Sequence, residues 1–233
     1  TVTLTADSGS QFAAGAATSV TLVGGSASDT ISFAAVNASS INGGNGADSL
    51  TLTGVATSST LLGGGGSDTI SVAGASSSVI TFSTDAATTF TAGAGITAST
   101  ITGSSGNDTL ILQNAVSSTL LGGAGLDSIA LGTATNLAGL INAGDGADTI
   151  RFGSIASSSS ITGGAGNDSI LFAISQTTAS TGSTYFFGTN GGSDTIVFGG
   201  GMSTGELFGS AAALTIAYSG DIGATGTVIT VGD

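Results

Sequence analysis

Apolar residues recur along this chain in three columns about twenty residues apart. One column is Ile31, Leu50, Ile70, Leu110, Ile129, Ile150, Ile170 and Ile196. Two residues further on stand Phe33, Leu52, Val72, Leu112, Leu131, Phe152, Phe172 and Phe198. The third, earlier in each unit, is Leu22, Ile41, Leu61, Ile101, Leu120, Ile141, Ile161 and Phe187. Apolar at i and i+2 predicts a strand with one face buried. The intervening residue is usually polar and faces water, as Ser32, Thr51, Ser71 and Arg151 do, whereas Ile111 and Leu171 break the rule and read as contact points. So much Gly and so many β-branched residues would serve a helix poorly.

Each unit therefore predicts two short strands, as in Asp48-Ser-Leu-Thr-Leu52 and Ser59-Thr-Leu-Leu62, joined by a turn of small residues over 54–58. A fixed period of this length is the signature of a repeat architecture. Stacked units pair each strand with its copy about 4.8 Å away. The expected fold is all-β: a parallel β-solenoid (β-roll or β-helix) of about twenty-residue coils around a narrow core. It is read as one domain over 1–233, with regular repeats over 20–198 and a divergent cap or assembly region over 199–233. In that last region Ala213–Tyr218 and Thr227–Val231 read as strands of a different spacing. The Ser and Thr pairs Ser39/Ser40, Ser59/Thr60, Ser99/Thr100, Ser118/Thr119 and Ser159/Ser160 are expected to form outward hydroxyl ladders. Tyr185 and Phe186 are placed away from the core columns.

Eight aspartates keep the same period: Asp29, Asp48, Asp68, Asp108, Asp127, Asp148, Asp168 and Asp194. Their intervals are 19, 20, 40, 19, 21, 20 and 26 residues, so one unit is silent. That unit, 78–98, offers Thr88 where a carboxylate is expected, followed by Phe90, with Asp85 out of register. It keeps the strand and loses the site. A glycine turn precedes most aspartates: Gly43-Gly-Asn-Gly-Ala-Asp48, Gly63-Gly-Gly-Gly-Ser-Asp68, Gly122-Gly-Ala-Gly-Leu-Asp127 and Gly163-Gly-Ala-Gly-Asn-Asp168. Gly103-Ser-Ser-Gly-Asn-Asp108 and Ala143-Gly-Asp-Gly-Ala-Asp148 are near matches. Asp29 has Ala27 in place of the second turn glycine, and Asp194 ends a longer unit.

Glycine allows the left-handed backbone of a tight turn and lets carbonyls crowd inward. The glycines Gly44, Gly46, Gly64, Gly66, Gly123, Gly125, Gly144, Gly146, Gly164 and Gly166 would then present carbonyl oxygens beside one carboxylate per coil. Ca²⁺ prefers such a set of six to eight hard oxygens. Two carboxylates about 5 Å apart repel by roughly 3 kcal/mol at an effective dielectric near 20. A ladder of them opposes its own stacking unless cations intervene or the pKa values rise. In the alternative reading each aspartate caps its turn by accepting backbone N–H bonds. Asp145, inside a turn, reads as exposed, with an added ligand as the other reading.

These turns resemble the nonapeptide G-G-x-G-x-D-x-U-x of the RTX family of secreted bacterial calcium-binding proteins, over residues 20–200. The resemblance implies Ca²⁺, several ions in one column, and a place outside the cell or on a bacterial cell surface. An RTX coil is about eighteen residues with calcium turns on both sides. Here one side of a longer coil carries the motif, which predicts a single column.

Charge narrows the partners. The chain carries 14 acidic residues, one basic residue (Arg151) and no His, for a net charge of −13, with no Cys and no Pro. Phosphate binding needs Lys and Arg, so nucleic acid and anionic membrane surfaces are excluded and cations favoured. No stretch approaches the apolar length of a membrane helix, so no membrane insertion is expected. The chain starts at Thr1 without Met and is expected to be processed or part of something longer. Disorder would suit the Gly and Ser content, but the apolar columns are too regular for it.

The leading expectation is an extracellular structural protein: a calcium-binding surface-layer, filament or matrix subunit that folds with Ca²⁺ and self-associates through its strand edges. The alternative is a calcium-rigidified adhesin or binding module of a larger secreted protein. Enzymatic chemistry is not expected, since no His, Lys or Cys is present and the paired carboxylates of a glycosidase would have to come from the ladder.

Overall fold

The alternation of apolar and polar residues is realised as strands throughout. The computed structural model describes residues 2–3, 9–83, 86–132, 138–153, 159–172, 181–186, 192–198, 204–208, 213–218 and 228–229. Successive strands fall mostly alternately into two 12-stranded sheets, and every pairing is parallel. Each turn of the chain lays one strand on each sheet, which is the β-solenoid the period demands.

Registers follow the apolar columns. In the first sheet Leu22, Ile41, Leu61, Ile80, Ile101, Leu120, Ile141 and Ile161 are paired in succession. In the second, Ile31, Leu50, Ile70, Phe90, Leu110, Ile129, Ile150, Ile170 and Ile196 do the same. All of these side chains are buried. Full burial of one such side chain contributes about 1.5–3 kcal/mol relative to exposure, so the stack is the main source of cohesion. Aromatic pairs add shape to it: Phe152 stacks on Phe172 at 4.9 Å, and Phe12 tilts against Phe33 at 5.4 Å.

Four features differ from the sequence expectation. The segment 54–58 is mostly strand, because Ser49–Thr57 continues past a register shift between Leu52 and Val55. The true corner is the next residue, Ser58, in the left-handed region at φ 46, and Ala38, Ser77, Ala98 and Ser117 repeat it. The longer strand buries a fourth column, Val36, Ala56, Ala75, Ile96 and Ala115.

The serine ladder faces inward, not outward. Ser39, Ser59, Ser99, Ser118 and Ser159 are buried, joined by Ser78. Ser39, Ser59, Ser78, Ser99 and Ser118 each accept from the backbone N–H one coil earlier, among them Ser39 N–H to Ser59 Oγ, Ser59 N–H to Ser78 Oγ and Ser78 N–H to Ser99 Oγ, these three at 3.1 Å. Only the following residue, such as Ser40 or Thr60, lies on the outer face, half-buried.

The third apolar column also reaches its last position two residues early. Ile161 pairs with Tyr185, so Tyr185 takes the backbone place expected for Phe187, which lies outside the described residues. Finally, Thr204–Phe208, Ala213–Tyr218 and Val228–Ile229 extend the same two sheets.

A candidate metal column of stacked aspartates

The strand that begins just after each of the first seven aspartates, and just before Asp194, fixes the direction of the carboxylate. In Asp48-Ser-Leu-Thr-Leu52 the aspartate shares the inward parity of Leu50 and Leu52, so its side chain turns into the coil. Asp29, Asp48, Asp68, Asp108, Asp127, Asp148, Asp168 and Asp194 are all buried, none more than 3% exposed.

One oxygen of each carboxylate is held by the coil before it. Ser10 N–H donates to Asp29 Oδ1, Asp29 N–H to Asp48 Oδ1 and Asp48 N–H to Asp68 Oδ1, at 2.6–2.9 Å. After the silent unit the chain of bonds resumes: Asp108 N–H to Asp127 Oδ1, Asp127 N–H to Asp148, Asp148 N–H to Asp168 and Asp168 N–H to Asp194, at 2.7–3.0 Å. Thus the capping reading describes Oδ1.

The other oxygen divides the rungs into two kinds. Asp29 Oδ2 accepts from Gly25 N–H at 2.7 Å, and Asp108 Oδ2 accepts from the backbone N–H and hydroxyl of Ser104. In contrast, Oδ2 of Asp48, Asp68, Asp127, Asp148 and Asp168 is buried without any hydrogen-bond partner. The turn explains the split. Gly44 has φ +110, as a left-handed residue only glycine takes readily, and its N–H donates to Asn42 Oδ1 instead. Gly64, Gly123, Gly144 and Gly164 repeat this positive φ before the other four orphaned rungs, and Gly46, Gly66, Gly125, Gly146 and Gly166 have it two residues later. Gly25 and Ser104 lack it. Complete glycine turns therefore leave the inner carboxylate oxygen free.

The first glycine of the turn makes the room. A Cβ on Gly43 would stand 2.5 Å from Asp48 Oδ2, and Gly63, Gly122 and Gly163 hold the same place at 2.4–2.5 Å from their own aspartates. Ala143 stands there before Asp148. The left-handed glycines also stack carbonyl on turn: Gly44 O lies 1.9 Å from a Cβ placed on Gly64, and Gly144 O 1.7 Å from one on Gly164. Backbone oxygens thus point along the stack from coil to coil.

Electrostatics follow from that burial. Asp127 is pushed up to about 7 by desolvation, against the lowering effect of the Asp108 N–H, with the neighbouring Asp148 and Asp108 raising it further. Asp48 and Asp168 rise to about 6 for the same reasons, desolvation first. Asp68, Asp148 and Asp194 are also raised, chiefly by desolvation. Buried carboxylates with an unpaired oxygen and no basic residue nearby need either a proton or a cation.

The donor set fits Ca²⁺: hard carboxylate and carbonyl oxygens, with no nitrogen or sulfur ligand. Among the described residues no three acidic side chains converge on one point. Any ion here would take most of its ligands from the backbone. Asp145 is exposed at the turn, as expected, and Asp85 lies outside the described residues. The sequence reading missed Gly25 and Ser104 as donors to the carboxylates; the serine that breaks the G-G-x-G pattern at 104 was the available signal.

A comparison with protein families bears on this geometry. The RTX calcium-binding nonapeptide repeat, in four copies, matches residues 89–113 and 156–172. These stretches hold the turns that end in Asp108 and Asp168. The chain carries RTX-type repeats, Ca²⁺ is the ion such repeats bind, and repeats of this class are found in secreted proteins. A comparison with curated proteins gave no match.

Proposed function

We propose that this protein is an extracellular structural subunit whose coils are locked by a column of Ca²⁺ ions and which assembles into a surface layer, filament or matrix. The observation that carries the reading is the row of partnerless oxygens on Asp48, Asp68, Asp127, Asp148 and Asp168, buried in a chain of net charge −13. In this reading those oxygens and the carbonyls of Gly44, Gly46, Gly64, Gly66, Gly123, Gly125, Gly144, Gly146, Gly164 and Gly166 hold the ions. Asp29, Asp108 and Asp194 close the ends and the break of the column. The bound ion supplies positive charge between rungs that otherwise repel.

Assembly is supported by two surfaces. Gln11–Thr18 forms an eight-residue strand at the edge of the second sheet, with neither charge nor proline to block another strand. On the outer face of that sheet Ile111, Ala130, Arg151 and Leu171 are paired in one row, continuing the polar row of Ser32, Thr51, Ser71 and Thr91. Ile111 is 44% exposed, and Arg151, the chain's one basic residue, is exposed two coils further along the same row. A second copy of this acidic chain offers both the apolar surface and the carboxylates such a row would meet.

The test combines circular dichroism, light scattering and electron microscopy of one preparation, with calcium and with chelator. Calcium-dependent β signal and calcium-dependent particles support the reading. A β signal unchanged by chelator would sink the calcium column, and a monomer at high concentration in calcium would sink the assembly. A calcium-rigid monomer would favour a binding module of a larger secreted protein.

A further inference from the structure

Phe82 stands where neighbouring coils have glycine. Thr81 pairs with Leu62 and Thr102, which puts the next residue, Phe82, level with Gly63 and Gly103. Its N–H donates to Thr102 O at 3.0 Å, as Gly103 N–H donates to Leu121 O at 2.8 Å. Where glycine leaves space for a carboxylate, Phe82 fills it with a ring only 2% exposed. A Cβ on Gly63 would meet Asp68 Oδ2 at 2.5 Å and Phe82 Cδ1 at 2.8 Å, so ring and free oxygen converge on one point.

The second half of the exchange is Thr88. Pairing of Thr89 with Thr69 and Thr109 sets Thr88 level with Asp68 and Asp108. It is buried, and its N–H and Oγ1 both donate to Asp108 Oδ1, at 2.8 and 2.7 Å. The coil bonds onward to the Asp108 carboxylate but contributes none of its own. Its turn is also one residue longer: six steps from Phe82 to Thr88 against five from Gly63 to Asp68. Had the repeat merely lost its aspartate, the glycine slot would stay empty. Both positions have changed together, bulk replacing space and a hydroxyl replacing charge.

We propose that Phe82 and Thr88 form an apolar plug that divides the metal column into two separate blocks, Asp29–Asp48–Asp68 and Asp108–Asp127–Asp148–Asp168–Asp194. The proposal rests on the calcium reading above. An aromatic edge beside Asp68 Oδ2 offers no ligand to a hard cation and excludes its water on that side. Coils couple to their nearest neighbours, so a rung without an ion interrupts calcium coupling from one block to the other. The apolar stack does not stop there, because Ile70, Phe90 and Leu110 remain in register. The rod is continuous in its core and discontinuous in its metal.

The test is calcium binding by isothermal titration and equilibrium dialysis, with circular dichroism to confirm folding. In the wild-type chain, Asp127→Asn should weaken sites of its own block and leave those of the Asp29–Asp68 block within about twofold; Asp48→Asn should do the reverse. Replacing residues 82–88 with the hexapeptide Gly-Gly-Gly-Gly-Ser-Asp of 63–68 should raise the bound calcium by one or two ions per chain and make each substitution felt in both blocks. A folded graft that binds no additional calcium overturns the plug. So does an Asp127→Asn effect on the first block in the ungrafted chain, a result that stands even if the graft does not fold. If the wild-type chain itself binds no calcium, the calcium reading fails and the plug fails with it.

Discussion

The backbone N–H of Asp48 donates to Oδ1 of Asp68 at 2.9 Å, while Oδ2 of Asp68 has no partner. One carboxylate thus serves two ends: one oxygen holds the coils in register, and the other demands a charge. The two can be separated by substitution.

An Asp127→Asn variant keeps the Oδ1 acceptor for Asp108 N–H and removes the charge. In chelator the variant should be more stable than the parent, because a desolvated carboxylate with like-charged neighbours is gone. In saturating calcium it should be less stable, by about 1–3 kcal/mol, the scale for a charged partner lost from a buried site. Thermal unfolding in both buffers reads the sign. Equal shifts in both would mean that the aspartate acts only as a cap.

Acidity acts on the same groups. The carboxyls of Asp127, near 7, and of Asp48 and Asp168, near 6, lie above their unfolded value of about 3.9. Between these values the calcium-free folded state binds more protons than the unfolded chain, so stability falls as pH rises. The contribution is whole below about pH 4 and lost above about pH 7. Calorimetry in chelator should therefore give a higher Tm at pH 5 than at pH 8. With calcium the trend should reverse, since ion and proton compete for one oxygen. A flat calcium-free profile would show that the carboxylates are solvated.

The inward serine ladder gives a cleaner comparison. Ser59 Oγ accepts from Ser39 N–H at 3.1 Å and donates to Thr57 O at 2.7 Å. Ser59→Ala leaves the buried Ser39 N–H unpaired, while Thr57 O keeps its bond from Ala38 N–H, and should cost about 1–3 kcal/mol by denaturant titration. Thr60→Ala, on the outer face, should stay within about 0.5 kcal/mol. Equal losses would contradict the inward placement.

Strand parity held that answer in the sequence: Ser59 is two residues before Leu61 and must share its face. The apolar columns around each aspartate were legible because no insertion falls between them. Val36, Ala56, Ala75, Ile96 and Ala115 were not, since they keep step with the serine ladder, three residues on, and stray from the aspartates. Alanine is also a weak marker of burial. Tyr185 was misplaced because the last interval stretches to 26 residues and the spare ones fall ahead of Asp194. The aspartates and their glycines stood out from spacing alone, but the state of each Oδ2 depends on φ at one glycine, which no pattern of residue types states directly.

Two glycines of one turn should respond differently to a methyl group. At Gly63 the added Cβ would press on Asp68 Oδ2 at 2.5 Å and on Phe82 Cδ1 at 2.8 Å, both of them side-chain atoms, and Ala143 occupies the matching place before Asp148. At Gly64 the φ of +109 is unfavourable for alanine, and the Cβ would fall 1.9 Å from Gly44 O, a backbone atom in the preceding coil. Strain of that kind costs about 1–3 kcal/mol before any clash is relieved. Gly64→Ala should therefore destabilise the fold in chelator and in calcium alike, whereas Gly63→Ala should act mainly on calcium binding. Parallel Tm and calcium titrations of the two variants decide the matter, and a harmless Gly64→Ala would refute the stacked-carbonyl geometry.

The opposite corner of the coil offers a gain. Ala98 is exposed at φ 47, where an L side chain costs roughly 1–2 kcal/mol and glycine costs nothing sterically. Glycine loses about 0.5–1 kcal/mol through its freer unfolded chain, so Ala98→Gly should be stabilising by up to about 1.5 kcal/mol. Its N–H bond to Val116 O, 2.9 Å, needs no side chain and persists. The gain should be the same with and without calcium, because this corner lies across the coil from the aspartates. A calcium-dependent change at Ala98→Gly would mean that the two corners are coupled through the narrow core, and denaturant titration in both buffers distinguishes the cases.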